Sequence, residues 1–183
     1  MSVVTLIGKD NSESVYVDDN AMRVRELSEF EYAVENGLAY SCASLTYDPD
    51  AHDTILGVEN NSATYDFVVQ KIMVSGDTAT QFVVHTSSGA TMNGTAVTPV
   101  NLNRNYATAA AGMLTAKADE TGNGQQAASY TGRLLTGMIA AAGYAEIDVN
   151  GAIVLPQDHN IGVDFTTAAT AGNVTIIGYF RAR

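Results

Sequence analysis

DTILGVENNSATYDFVVQKIMVSGDTATQFVVHTSSGATMNGTAVTPVNLNR, residues 53–104, decides the fold. Four short apolar segments, 54–58, 64–74, 80–85 and 95–102, alternate here with turn-rich joints. Each is rich in Val, Ile, Phe, Tyr and Thr, the composition of a half-buried pleated strand. The joints Asn60-Asn61-Ser62, Ser75-Gly76-Asp77 and Ser87-Ser88-Gly89 carry the residues that reverse a chain. The stretch predicts a β-meander or part of a sandwich, and no catalytic motif lies inside it.

Working outward, residues 129–183 return to the same character. Ile161, Val163 and Phe165 alternate with Gly162 and Asp164, and residues 173–180 make a last strand. Asn150-Gly151 between two strand-like runs predicts a hairpin. Upstream, residues 38–47 read as a strand ending at Asp48-Pro49-Asp50. Residues 22–34 are ambiguous between helical and strand spacing. The acid–apolar alternation of EFEYAVENG favours strand for its second half, so the expectation is a helical turn or irregular segment at 22–28 and a strand from about residue 30. Two further strand-like pieces, 3–7 and 14–17, predict an N-terminal arm or hairpin over residues 1–29. The Ala-rich run 106–120 is open between a helix and an elaborated loop. Residues 105–128 together read as a long Ala/Gly-rich insertion, a natural binding or subunit-contact loop.

The 183 residues predict one domain over 30–183, large enough to bury a core without staples. The expected class is all-β, an antiparallel β-sandwich of jelly-roll kind. Cys42, the single cysteine, cannot form an internal bridge and reads as a buried, inert thiol.

Charge is unevenly spread. Residues 1–66 hold thirteen acids and three bases, and residues 67–183 hold seven acids and six bases. An acidic first third is a poor partner for a phosphate backbone, so nucleic acid is not an expected ligand. No apolar run reaches the length of a membrane span, and MSVVTLIGKDNSES lacks the pattern of an export leader, so no membrane association is expected.

Catalytic signatures are missing: the sequence has no nucleophile elbow, Walker loop, dinucleotide fingerprint or H-E-x-x-H. His52, His85 and His159 are scattered, and neither a cofactor nor a metal is expected. Asp48, Asp50 and Asp53 share one loop and form the one weak outline of a hard-cation site, without the central Gly and terminal Glu of an EF-hand.

Three blocks then give the chain a resemblance: residues 32–89 (YAVENGLAYSCASLTYDPD through VVHTSSG), GTAVTPVNLNRN at 94–105, and VLPQDHNIGVDFTTAATAGNVTIIGYF at 154–180. Their order resembles small β-sandwich structural proteins of tailed bacteriophage virions, of the decoration or cement, head-fibre base or tail accessory type. The resemblance covers roughly residues 30–104 and 144–181. It implies a virion protein assembled in the host cytoplasm and acting as a homo-oligomer, with a trimer favoured. Its partner would be the major capsid protein or another virion protein. Asn101, Asn103 and Arg104 would frame the base of the variable loop or an interface, with Arg104 paired to a carboxylate or carbonyl. A carbohydrate- or host-surface-binding module is the alternative expectation.

Overall fold

The run YDFVVQKIMVSG forms β5 (Tyr65–Gly76), and its burial explains how the sandwich is built. Phe67 and Val69 point into the core, and so do Ile72 and Val74. Strict alternation would put these two pairs on opposite faces. Gln70 resolves the conflict, because it has no partner in the ladder on either side of β5. This one extra residue is a bulge that resets the phase.

The computed structural model describes residues 13–18, 21–51, 53–88, 92–106, 110, 112–120 and 132–183. Two antiparallel sheets pack face to face. One contains β3 (Ala39–Ala43), β5, β8 (Val100–Asn101), β11 (Gly143–Leu155) and β13 (Gly172–Ala182), in the order β11-β5-β13-β3-β8. The other contains β4 (Thr54–Asn60), β6 (Thr80–Ser88), β7 (Thr95–Val97), β9 (Leu114–Glu120), β10 (Arg133–Ile139) and β12 (His159–Phe165), in the order β10-β6-β12-β4-β9-β7. The expected all-β sandwich is present. The core lies between the sheets around Phe67, Phe165, Phe180, Leu56, Ile161 and Ile176, all at most 2% exposed. Phe180 meets Phe67 edge-on at 5.4 Å between ring centroids, with Tyr40 and Tyr65 also edge-on to it. Burying each such ring contributes roughly 1.5–3 kcal/mol.

Asn60, fully buried, ties the layers together. Its Nδ2 donates to the carbonyls of Tyr65 (2.9 Å) and Leu155 (2.8 Å), both in the opposite sheet, and its Oδ1 accepts from Ser62 N (2.9 Å).

Several local expectations are corrected. The N-terminal hairpin consists of β1 (Glu13–Asp18) and β2 (Ala21–Glu26), in register from Glu13↔Glu26 to Asp18↔Ala21; residues 1–12, including the strand expected at 3–7, lie outside the described residues. A strand thus stands where a helical turn was expected, and a helix, α1 (Glu29–Glu35), where a strand was expected. The reason is a capping box. Ser28 Oγ accepts from Glu31 N (3.2 Å) while the Glu31 carboxylate accepts from Ser28 N (2.9 Å), and acids fill the first turn. Gly37, at φ +70°, supplies the left-handed exit. The helix covers the outer face of the five-stranded sheet, where Ala33, Ala39, Val68 and Tyr179 form a second small core and Phe30 packs edge-on to Tyr179. Tyr179 also donates its hydroxyl to Glu29 (2.9 Å).

Asn150-Gly151 does not turn the chain. Both residues have positive φ, yet β11 continues along β5 on either side of them, with Asp148 opposite Lys71 and Ile153 opposite Val69. The pair is the tip of a wide bulge opposite Gln70, which donates to Asn150 Oδ1 (3.1 Å). The stretch 105–128 is not wholly an insertion, because β9 is a sheet strand between β4 and β7. Leu114, Ala116 and Ala118 point inward. Alanine favours helices and is a weak strand signal, which hid this alternation. Residues 121–131 lie outside the described residues.

Two outcomes follow from this packing. Ser28→Ala should lower stability by about 1 kcal/mol in urea unfolding, and Ser28→Asp should retain most of it. Cys42 faces the core, and burial pushes its thiol up to about 12. A thiol reagent at pH 8 should therefore label the native protein only as fast as it unfolds, and the urea-unfolded chain immediately.

Candidate functional site

The segment after β8 is held by its own asparagines. Asn101, 1% exposed, donates Nδ2 to the carbonyl of Gly37 (2.6 Å) and accepts from Asn103 N (2.8 Å). Asn103 repeats the motif, donating to Glu35 O (3.2 Å) and accepting from Asn105 N (3.1 Å). Side chains that cap the backbone two residues on make successive Asx turns. Leu102 N bonds Ala39 O (2.9 Å), and the Tyr106 ring lies against the α-carbon of Gly37, filling the space a side chain would need. The segment is thereby fixed to the end of α1. Arg104 is exposed and makes no hydrogen bond or ion pair with any described residue, in place of the carboxylate or carbonyl partner expected for it.

The acidic loop does not converge. Asp48 and Asp50 are exposed, whereas Asp53 is buried, with its N–H bonded to Asp50 O (3.2 Å). Among the described residues, no three His, Cys, Asp or Glu side chains gather into a group that could hold a metal. His52 lies outside the described residues. His159 is half-buried with Nδ1 at 2.9 Å from Gln157 O, and it stays far in the ladder from His85.

His85 belongs to a group that the sequence did not announce. Asn160, Gly162 and Asp164 alternate with Ile161, Val163 and Phe165, and so leave the core side of β12. They are nonetheless buried. His85, opposite Gly162, lays its ring over that glycine's α-carbon, and its Nδ1 approaches Asp164 Oδ2 at 2.8 Å. The approach lacks the alignment of a hydrogen bond. His85 Nε2, Thr54 Oγ1 and Asn160 Nδ2 have no protein partner among the described residues. A buried, paired histidine and carboxylate is half of a nucleophile-activating constellation. With side chains 3% and 0% exposed, however, the pair is closed to any substrate in this conformation. Loss of Asp164 would leave the buried His85 ring without its nearest carboxylate.

An open cleft sits at one end of the five-stranded sheet. It has a volume of about 300 Å³ and is lined by Thr46, Ser75, Asp77, Asn173 and the glycines 76, 143 and 172. The three glycines stand side by side on β11, β5 and β13. Beyond them the ladder pairs Tyr144 with Ser75 and Ser75 with Asn173. Asp77 clasps the rim: Thr170 Oγ1 donates to one carboxylate oxygen, and Ala171 N (3.0 Å) and Thr78 Oγ1 (3.2 Å) donate to the other. Chiefly the Thr170 bond holds this carboxyl below the usual aspartate range. A carboxyl depressed in this way stabilises the fold above its ordinary pKa and loses that contribution as pH falls through the depressed value. The sequence marked Ser75-Gly76-Asp77 only as a turn. Its proximity to residues 142–143 and 171–173 is long-range and left no local signal.

β10 and β11 are each the terminal strand in their sheet's order, joined by the turn at residues 140–142. Leu135, Gly137 and Ile139 of β10 face inward, while Leu134 (45% exposed) and Met138 (69%) face out.

No protein-family model, curated protein or solved structure matches this chain.

The anchor analysis separates two neighbouring residues. Asn101→Ala should cost about 1–3 kcal/mol in chemical denaturation, because it leaves buried groups at Gly37 and Asn103 unbonded. Arg104→Ala should stay within about 0.5 kcal/mol of the parent.

Proposed function

We propose that this chain is a structural component of a tailed-phage particle. It binds the capsid shell or neighbouring virion proteins as a homo-oligomer and works without catalysis. Within the two sheets, the orders β11-β5-β13-β3 and β10-β6-β12-β4 support a jelly roll, with β7, β8 and β9 as an elaboration between its fourth strand, β6, and its fifth, β10. Jelly rolls recur in viral capsid and lectin domains. A fold hosts many functions, so that likeness is only a prior.

The observation that carries the reading is the outward face of β10. A chain with a formal charge of −11 repels its own copies, so self-association needs an uncharged contact surface. Leu134, Thr136 and Met138 supply one on an edge strand whose outer backbone groups have no ladder partner among the described residues. Such an edge is normally blunted or covered, and contact with a second copy covers it. The 101–106 segment adds the second contact. Asn101 and Asn103 hold it in place, and Arg104 projects from it as an exposed cation with no partner among the described residues, available to an acidic partner.

Native mass measurement tests this. The parent should be an oligomer, with a trimer expected, and Leu134→Ser with Met138→Ser should shift it to monomer without lowering the thermal midpoint by more than a few degrees. A monomeric parent at every concentration overturns the β10 interface. Arg104→Ala should keep the fold while weakening attachment to isolated particles.

A further inference from the structure

We infer that the cleft between Thr46, Ser75, Asp77 and Asn173, with Tyr144 beside it, is a binding site for a neutral saccharide unit. The inference is independent of the assembly reading, since it uses the end of the five-stranded sheet and not the β10 edge.

Size is the first constraint. A volume of about 300 Å³ stands at the lower end of the range for small-molecule sites, enough for a single ring and not for a folded peptide. The floor is unusual in chemistry. At Gly143, Gly76 and Gly172 the cleft is lined by the backbone itself, and at Gly76 and Gly172 the side-chain direction runs inward to Phe165, so nothing rises from these two positions into the cleft. These glycines are fixed by contacts from beneath and from the turn. A side chain at Gly76 or Gly172 would press on Phe165 (2.9 and 3.0 Å), and one at Gly143 on the backbone of Ala140 (2.5 Å to its oxygen).

The walls are the second constraint. The hydroxyls of Thr46 and Ser75 bond no described residue, and Asn173 uses only its Nδ2, on Ser44 O (3.1 Å), leaving Oδ1 open. Two hydroxyls that both donate and accept, beside an amide acceptor, match the paired donor and acceptor character of sugar hydroxyls.

Tyr144 is the third constraint. It is 59% exposed, directly opposite Ser75 in the ladder and therefore on the same face as Ser75 and Asn173. Its hydroxyl donates to Glu146 (2.7 Å), two residues along β11, and Glu146 is itself bound to Lys71, so the ring is tethered beside the cleft and does not cover it. An aromatic face beside converging polar groups suits the C–H face of a pyranose.

Charge selects the class. Asp77 is ionised but already receives three donors, so it shapes the rim and is not open to a cation. Glu146 and Asp148, both exposed, pair with Lys71 on the adjoining surface, which leaves no surplus cation to attract an acidic sugar or a phosphate. An uncharged hexose is what remains.

The test is an NMR titration of the ¹⁵N-labelled full chain with glucose, galactose, mannose and N-acetylglucosamine, each up to about 50 mM, well above the about 1 mM affinity of a weak site. Residues 75–77, 142–144 and 171–173 should shift for at least one sugar, and sialic acid or inorganic phosphate should leave them unmoved. Tyr144→Ala and Asn173→Ala should each weaken binding about tenfold, equivalent to about 1.4 kcal/mol. Should Asn173→Ala unfold through loss of its bond to Ser44, Ser75→Ala takes its place, since the Ser75 side chain bonds no described residue. No shift with any of the four sugars, shifts elsewhere, or equal shifts with phosphate would each overturn the inference. An oligomer that binds no sugar removes this site and leaves the assembly reading standing; a monomer that binds sugar does the reverse.

Discussion

The sandwich depends on one phase change. β5 is the strand that β11 and β13 both pair with, so the direction of its side chains sets theirs. Phe67 and Val69 precede Gln70; Ile72 and Val74 follow it; all four reach the same core only because Gln70 is bulged out of both ladders. A one-residue slip in a strand turns its whole apolar set to the other face. Removing the bulge would expose one half of β5 or the other. The wide bulge at residues 149–152 of β11 is the neighbouring strand's answer to the same irregularity, and Gln70 spans it to reach Asn150.

From that frame, the two layers take different roles. The five-stranded sheet is covered on its outer face by α1, through the small core around Val68 and Tyr179. Its other end stays open as the glycine-floored cleft. The six-stranded sheet instead seals polar groups on its outer side, with His85 against Asp164 and Met92 lying over Gly57. Buried ion contacts contribute little net stability but penalise every arrangement that separates them. That pair therefore couples the alignment of β6 to that of β12.

Much of this was legible in the sequence, for identifiable reasons. The strands at residues 54–60, 65–76, 80–88 and 159–165 carry β-branched and aromatic side chains at strong period two, or in runs short enough to exclude a helix. Less legible were elements whose signal was local chemistry. Ser28-Glu31 and Gly37 framed α1 against a misleading alternation in EFEYAVENG. Alanines hid β9. At Asn150-Gly151 the turn chemistry was real, with both residues at positive φ, but two flanking strands continuous with β5 overrode the reversal. Asn101 and Asn103 were singled out as framing residues, and both make framing bonds; Arg104 beside them makes none with a described residue. The cleft and the His85–Asp164 pair were illegible because each is assembled from residues far apart in the chain, and no local pattern encodes that meeting.

The account stands on the claim that the β10 edge is a contact surface between copies. Amide hydrogen exchange of the unmodified protein, compared between dilute and concentrated solution, reads that edge directly. Residues 133–139 should exchange markedly more slowly at high concentration, with the cleft residues 75–77 unchanged. Exchange in β10 that is fast and independent of concentration would contradict the claim.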